Sequence, residues 1–366
     1  MIPILVPDLP TTEQLIPWLQ RIDNNKWYSN FGPLVQEFES KLKQLLSQPI
    51  ELITVSSGTT ALELALLALN LPVGSKVLLP ALTFPATATA IKRADLQPIF
   101  TDVDPHTWHL GPSIAHQVHK KLAYDVVMPV ATFGCPQPAA EWDKFAEETG
   151  ITVLLDAAAA FGSQTVGNRC IITFSFHATK PFSIGEGGLI VANSPVFIQQ
   201  LKKLSNFGFE NGIIVQSGGS NAKLSEYHAA VGLAQLSRWQ NIVERRQYLW
   251  NYYTQHLQTI GEHINLQPTP KNHIPAILPI KLLSSKRSPL IEYLTQQGIE
   301  TRCWYCPPLH EHLVFSDISI VAPNGSKQLP VSEELGKSLL GLPFHTTLDE
   351  NQITYICSSL LKYFKG

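Results

Sequence analysis

The sequence is short of several things at once. Among 366 residues only five are cysteine and two are methionine, and Asp, Glu, Lys and Arg together reach 15%. The cysteines are Cys135, Cys170, Cys303, Cys306 and Cys357, an odd set in no disulfide-framework spacing. A reduced, cytoplasmic setting is expected. No excess of one charge exists either: 27 basic against 29 acidic residues leaves −2, which argues against nucleic acid or an anionic membrane as main partner. The longest apolar runs fall far below the roughly 20 residues of a membrane span. The opening MIPILVPDLPTTEQL has no basic segment and is interrupted by prolines, so it is not a signal peptide. Repeats and low-complexity tracts are absent. Cys303-Trp304-Tyr305-Cys306 is a single C-x-x-C pair. It cannot supply four zinc ligands and has no βαβ start nearby for a redox motif. It reads as two free thiols in a loop, and no metal site is expected.

What is present is a chain that is 44% hydrophobic and long enough for a sizeable core divided between two domains. Its first two thirds alternate strand-like and helix-like runs. Strands are expected at Glu51–Val55, Lys76–Leu79, Pro98–Thr101, Asp125–Val130, Ile151–Leu155 and Ile171–Ser175. Helices are expected over TTALELALLALN, ATATAIKRA, AAEWDKFAEE, Pro195–Asn206 and about Lys223–His256. The strands are nearly continuous apolar runs, which implies βαβ units and a mostly parallel sheet covered on both faces. The texture then changes. INLQPTPK is broken by prolines, a strand follows at Ile274–Lys281, then a helix near Pro289–Gln297, a loop at Pro323–Pro330 and a last helix from about Leu348. The expected boundary lies near residue 255, giving a large domain over 1–255 and a smaller one over 256–366.

Four features fall at strand ends, where open α/β folds bind ligands. Ser56-Ser57-Gly58-Thr59-Thr60 joins a strand to a helix; it is either a capped turn or a phosphate cradle made of free helix amides. Asp156 leaves a buried strand, as an N-cap or as the partner of a protonated ring nitrogen. Ser175-Phe176-His177-Ala178-Thr179-Lys180 runs into Gly185-Glu186-Gly187-Gly188. Isolated lysines are usually solvated, but one held in an apolar pocket becomes a nucleophilic amine. Thr83-Phe84 offers a core aromatic or one that stacks on a flat ring. Taken in order, these supply an anion cradle, a ring-stacking face, a carboxylate and a lysine. That is the layout required by pyridoxal 5'-phosphate (PLP).

The sequence resembles the DegT/StrS-type sugar aminotransferases of PLP fold type I over almost its whole length. The resemblance is carried by GPLVQEFESKL, VSSGTTALELALLAL, LPALTFPATATAI, PIFTDVD, VVMPVATFGCP, LLDAAAAFGS, FSFHATKPFSIGEGG, NAKLSEYHAAVGLAQL, PPLH and LPVSEELGKSLLGLPFH, in the family's order. It implies a three-layer αβα large domain and a smaller C-terminal α+β domain, with the N-terminal helix packing on the latter. It also implies that Lys180 holds the cofactor and shuttles the proton, and that Asp156 pairs with the ring nitrogen. Ser57, Gly58, Thr59 and Ser175 would bind the phosphate and Phe84 would stack on the ring. Asn221 would reach the site of the other subunit in a homodimer. A nucleotide-linked sugar, a 4-keto-6-deoxy sugar by the subgroup pattern, would accept an amino group from glutamate. His177, Tyr305 and His310 are candidate substrate residues, and Lys202, Lys203, Arg245 and Arg246 are candidates for the diphosphate or for a solvated helix face. Three positions depart: Ala159 stands where the family has Gln or His, Lys223 where it has Arg, and Trp304 where it has His. Relatives that dehydrate sugars carry His where this chain has Lys180, so the resemblance favours transamination over a dehydratase. Ala159 and Lys223 leave a PLP-binding regulator open as an alternative, against which the lack of a visible basic arm counts.

Overall fold

A computed structural model describes residues 1–46, 50–210, 214–215, 218–283 and 287–365. Two helices come first, α1 (Thr12–Asn25) and α2 (Pro33–Leu46). Then strands and helices alternate: β1 (Glu51–Val55), α3 (Gly58–Ala68), β2 (Lys76–Pro80), α4 (Pro85–Arg93), β3 (Gln97–Thr101), α5 (Pro112–His119), β4 (Val126–Val127), α6 (Ala139–Thr149), β5 (Thr152–Asp156), β6 (Ile171–Ser175) and β7 (Gly188–Ala192). After α7 (Pro195–Leu204) and a small ribbon of β8 (Phe209–Glu210) and β9 (Ile214–Val215), the long helix α8 spans Glu226–Leu257.

The large sheet has the order β1-β7-β6-β5-β4-β2-β3, with β12 (Ser319–Ile320) added at the β3 edge. From β6 through β12 all pairs are parallel, whereas β7 runs antiparallel to both β6 and β1. Parallel strands need crossovers, and α3, α4 and α6 supply them. Burial of nearly every strand residue follows, with cores on both faces: Leu78, Ile99, Val127 and Val153 on one, Val77, Leu79, Phe100 and Leu154 on the other. The carboxyl ends of β2, β4, β5 and β6 therefore lie side by side.

The C-terminal region builds its own three-stranded antiparallel sheet from β10 (Ile264–Leu266), β11 (Leu278–Leu282) and β13 (Leu339–Leu342). Its core joins Leu249 and Tyr253 of α8 to Leu290 and Leu294 of α9 (Arg287–Gln296), with Ile353, Ile356 and Leu360 of α11 (Glu350–Lys365). Helix α10 (Pro330–Ser338) runs directly into β13. Residue 255 falls in the last turn of α8, which carries Ala229 and Leu233 in the large core and Leu249 and Tyr253 in the small one.

Two expected strands are shorter than their apolar runs. The strand within Asp125–Val130 is cut to Val126–Val127, with only a single bridge from Val130 to Asp156 beyond it, because Pro129 has no N–H to continue the ladder. The expected strand from Ile274 begins at Leu278; Pro275 intervenes, and the Ile274 N–H donates to Ser163 Oγ at 2.7 Å.

Candidate active site

Asp156 ends β5 with 4% exposure. A bare carboxylate there would be costly, and two donors answer it. Thr87 Oγ1 donates to Oδ2 at 2.8 Å and the Ala158 N–H to Oδ1 at 3.1 Å. Thr87 is fully buried on α4 and lies 2.9 Å from Thr83 Oγ1, one turn earlier. Desolvation pushes the Asp156 pKa up; Thr87, Ala158 and the nearby Lys180 charge pull it back.

Lys180 sits at the tip of a loop that doubles back on itself. The loop is closed by Phe176 N–H to Gly187 O and Ala178 N–H to Gly185 O, both 2.8 Å, and Ile184 N–H to Phe176 O at 2.9 Å. Beneath it Phe161, Phe176, Phe182 and Trp239 pack with ring centroids 5.0–5.8 Å apart. Such pairs contribute about 0.5–1.5 kcal/mol each beyond area burial, so the loop stands on a rigid base. Lys180 itself is half-buried. Desolvation pushes its pKa down, and the Asp156 carboxylate opposes this. A buried acid and a half-buried amine thus lie close enough for each to feel the other's charge.

The third part of the site is the start of α3. Ser57 caps the helix by accepting the Thr60 N–H at 3.1 Å, leaving the amides of the first turn free for an anion. Gly58 is required there: a Cβ would come 2.6 Å from Ser175 Cβ and 3.0 Å from its hydroxyl. Gly188 is equally constrained, since a Cβ would meet Ser57 O at 2.3 Å. Both glycines draw the α3 start onto the end of β6 beside Ser175.

The remaining expected residues are less uniform. Phe84 immediately precedes α4 with 61% of its surface exposed, so it is not a core aromatic. His177 lies three residues before Lys180, with Nδ1 2.9 Å from Thr179 Oγ1 and Nε2 3.7 Å from Glu186 Oε1. Tyr305 stacks on Phe133 at 4.8 Å, and burial, with the Asp156 charge adding to it, pushes its phenol pKa up. His310 Nε2 lies 3.7 Å from Glu333 Oε1, while its buried Nδ1 has no hydrogen-bond partner. Asn221 is exposed on a bridge with Asn206, and Lys223 Nζ donates to Asn206 Oδ1 at 2.7 Å.

Other expectations need correcting. Trp304 packs against Gly341 of β13 and the cluster of Leu82, Trp108 and Phe133. Arg245 donates to the carbonyls of Thr346 and Leu348, and buried Arg246 donates to those of Pro275 and Ala276. Both tie helix α8 to the C-terminal region and are not available to a diphosphate. Lys202 lies over the Phe31 ring and lines a cleft beside the β1 edge of the sheet with Glu39 and Glu51, whereas Lys180 and Asp156 sit at the ends of the central strands. Thr87 and Phe133 escaped the sequence reading; the Thr83/Thr87 spacing of one helical turn was the signal for the first.

Residues 11–361 match the model of the DegT/DnrJ/EryC1/StrS aminotransferase family. The chain belongs to this aminotransferase family. It is 32% identical to the dTDP-4-amino-4,6-dideoxy-D-glucose transaminase of Shigella dysenteriae, over 98% of each chain. A Bacillus cereus ATCC 10987 protein described as a PLP-dependent aminotransferase superposes with a TM-score of 0.90 at 29% identity, covering 98% of this chain and 99% of its own. DesI, solved in the presence of its TDP-sugar product, superposes with a TM-score of 0.87 at 28% identity, covering 98% and 92%. The enzyme is thus a PLP-dependent aminotransferase with the fold of these proteins. The donor set suits that cofactor: an amide cradle that a Cβ at Gly58 would crowd, a buried carboxylate and a half-buried amine of lowered pKa.

Proposed function

We propose that this aminotransferase moves an amino group from glutamate to the keto group of a nucleotide-linked 4-keto-6-deoxy sugar. The observation that carries the site is the pairing of half-buried Lys180 with buried Asp156, each within reach of the other's charge. The named sugar transaminase among its relatives supports the substrate class.

When bound, PLP supplies the electron sink that makes a C–H bond beside the amino group acidic. The chain supplies the rest. Lys180 would hold the cofactor aldehyde, and once released its neutral amine would take the proton at Nζ from the donor's α-carbon and deliver it to the carbon that had carried the aldehyde, the reverse transfer serving the acceptor. Asp156 keeps a ring nitrogen protonated, with Thr87 and Ala158 fixing its orientation. The first-turn amides near Ser57, Gly58 and Thr59, with the Ser175 hydroxyl, hold the phosphate. Phe84 stacks on the ring, Asn221 reaches across a homodimer, and His177, Tyr305 and His310 face the sugar. The chain divides near residue 255 into cofactor-binding and C-terminal domains. The donor leaves as an oxo acid before the keto sugar enters, so double-reciprocal plots are parallel.

The test is the visible spectrum of the purified enzyme before and after glutamate. A yellow band that shifts with glutamate and returns with a dTDP- or GDP-linked 4-keto-6-deoxy sugar is expected. Lys180→Ala removes the shift. A band indifferent to glutamate sinks the donor assignment; a donor-reduced enzyme that no keto sugar restores sinks the acceptor.

A further inference from the structure

The first ten residues carry Pro3, Pro7 and Pro10, and proline fixes φ in an extended range. They form a stiff strap. At one end the strap is part of the C-terminal region. Ile2 N–H donates to Gly298 O at 2.7 Å, Glu300 N–H to Ile2 O at 3.0 Å, and Phe344 N–H to Ile4 O at 3.1 Å. Ile4 N–H donates to Glu300 Oε2 at 2.8 Å, and His345 Nε2 lies 3.2 Å from Pro3 O.

At the other end is Asp8, where three parts of the chain meet. Gln235 Nε2 donates to its carbonyl oxygen at 2.7 Å, Arg238 Nη2 to Oδ1 at 2.6 Å and Thr346 Oγ1 to Oδ2 at 2.8 Å. Arg238 Nη1 also donates to Gln235 Oε1 at 3.1 Å. That closes a ring fixing both the backbone and the side chain of Asp8. The fourth donor is the hydroxyl of Ser183, fully buried and 3.4 Å from Asp8 O. Ser183 lies three residues after Lys180 and next to Phe182 in the aromatic base. Thr346 belongs to the segment after β13, two residues beyond Phe344 in the C-terminal core.

We propose that Asp8 is a positioning residue that couples the Lys180 loop to the C-terminal sheet, so that the placement of Lys180 follows that of the region carrying Tyr305 and His310. The proposal rests on Lys180 being the reacting amine. A strap that only anchored the N-terminus would need no contact with Ser183. The partly buried Arg238–Asp8 pair, side chains 25% and 16% exposed, holds a defined geometry that a mobile surface pair would not.

The experiment is hydrogen exchange of the holoenzyme, wild type against Asp8→Asn, Ser183→Ala, Thr346→Val and the Ser183→Ala/Thr346→Val pair. Thr346→Val removes only the distant hydroxyl and keeps the side-chain shape, so it remains informative should the Asp8 variant fail to fold. The expected result is several-fold faster exchange of amides in 178–187 in Thr346→Val. It comes with a lower kcat at little-changed KM and a moved pH midpoint of the bound-cofactor absorbance, and the double variant goes little beyond the singles. Exchange that rises only in 1–8 and 344–348, or single effects that simply add, overturns the coupling. Failure of the Lys180 assignment is separate: Lys180→Ala would keep the yellow band, whereas the exchange readout does not require Lys180 to react.

Discussion

Two of the buried carboxylates of the large domain have surroundings that could hardly differ more. Glu226, at the start of α8, is fully buried, and each of its oxygens accepts a backbone amide at the α2 N-terminus: Leu34 N–H at 2.9 Å on Oε2 and Val35 N–H at 2.9 Å on Oε1. Gly32 leaves the room it needs, since a Cβ there would lie 2.6 Å from Glu226 Cδ. This charge is matched by a helix N-terminus and is structural. Asp156 instead has one hydroxyl and one amide, a pKa pushed up by desolvation, and an amine opposite. The difference separates a carboxylate whose charge the fold answers with two helix amides from one whose burial is only partly answered.

The comparison breaks most visibly at Asp156→Asn. Turnover is expected to fall on the order of 10²-fold or more, the scale of losing one preorganised electrostatic partner, with the cofactor still retained. Stability moves the other way or not at all. A group whose folded pKa is raised favours the folded state below its unfolded value and loses that contribution as pH rises through the folded one. At neutral pH the Asp156 charge therefore gives the cofactor-free fold nothing. Thermal unfolding of the cofactor-free variant at pH 7 checks this; a clear drop in Tm would make Asp156 structural as well.

Glu226→Ala inverts the pattern. Two buried amides lose a charged acceptor, costing about 2–4 kcal/mol, or roughly 3–5 °C in Tm for a chain of this size. Activity per folded molecule is expected to stay within about threefold, since side-chain truncations away from the chemistry act mainly through stability. A Glu226→Ala enzyme of unchanged Tm would refute the capping role.

The same contrast explains what could be read from the chain. Glu51–Val55 and Ile171–Ser175 are found where their apolar runs lie, because strands buried on both faces announce themselves. The cradle, Asp156 and Lys180 were legible because each follows such a run. β7 was not, since GLIVA follows a glycine-rich segment that reads as loop, and its antiparallel direction depends on the turn around Lys180. The capping by Glu226 joins residues 192 positions apart, and nothing local marks it. Tyr305 could be proposed from its segment, but its stack on Phe133 arises only where the C-terminal region meets the end of β4.

The smallest effect sharpens the pairing of Lys180 with Asp156. Capture of PLP by the cofactor-free enzyme needs the neutral amine, so its rate rises with pH through the Lys180 pKa. Burial has lowered that pKa, and the rise should level off below about 10.4, where an ordinary lysine titrates. The Asp156 charge favours the ammonium and holds the value higher than burial alone would leave it. Asp156→Asn removes that charge, so the midpoint of the rate–pH curve should move further down, even though the same change slows transamination. Stopped-flow absorbance across the pH range reads both. An upward move would mean that Asp156 acts on Lys180 other than by its charge. An unmoved midpoint would mean the two groups do not sense each other, and the pocket would then hold an acid and an amine side by side without coupling.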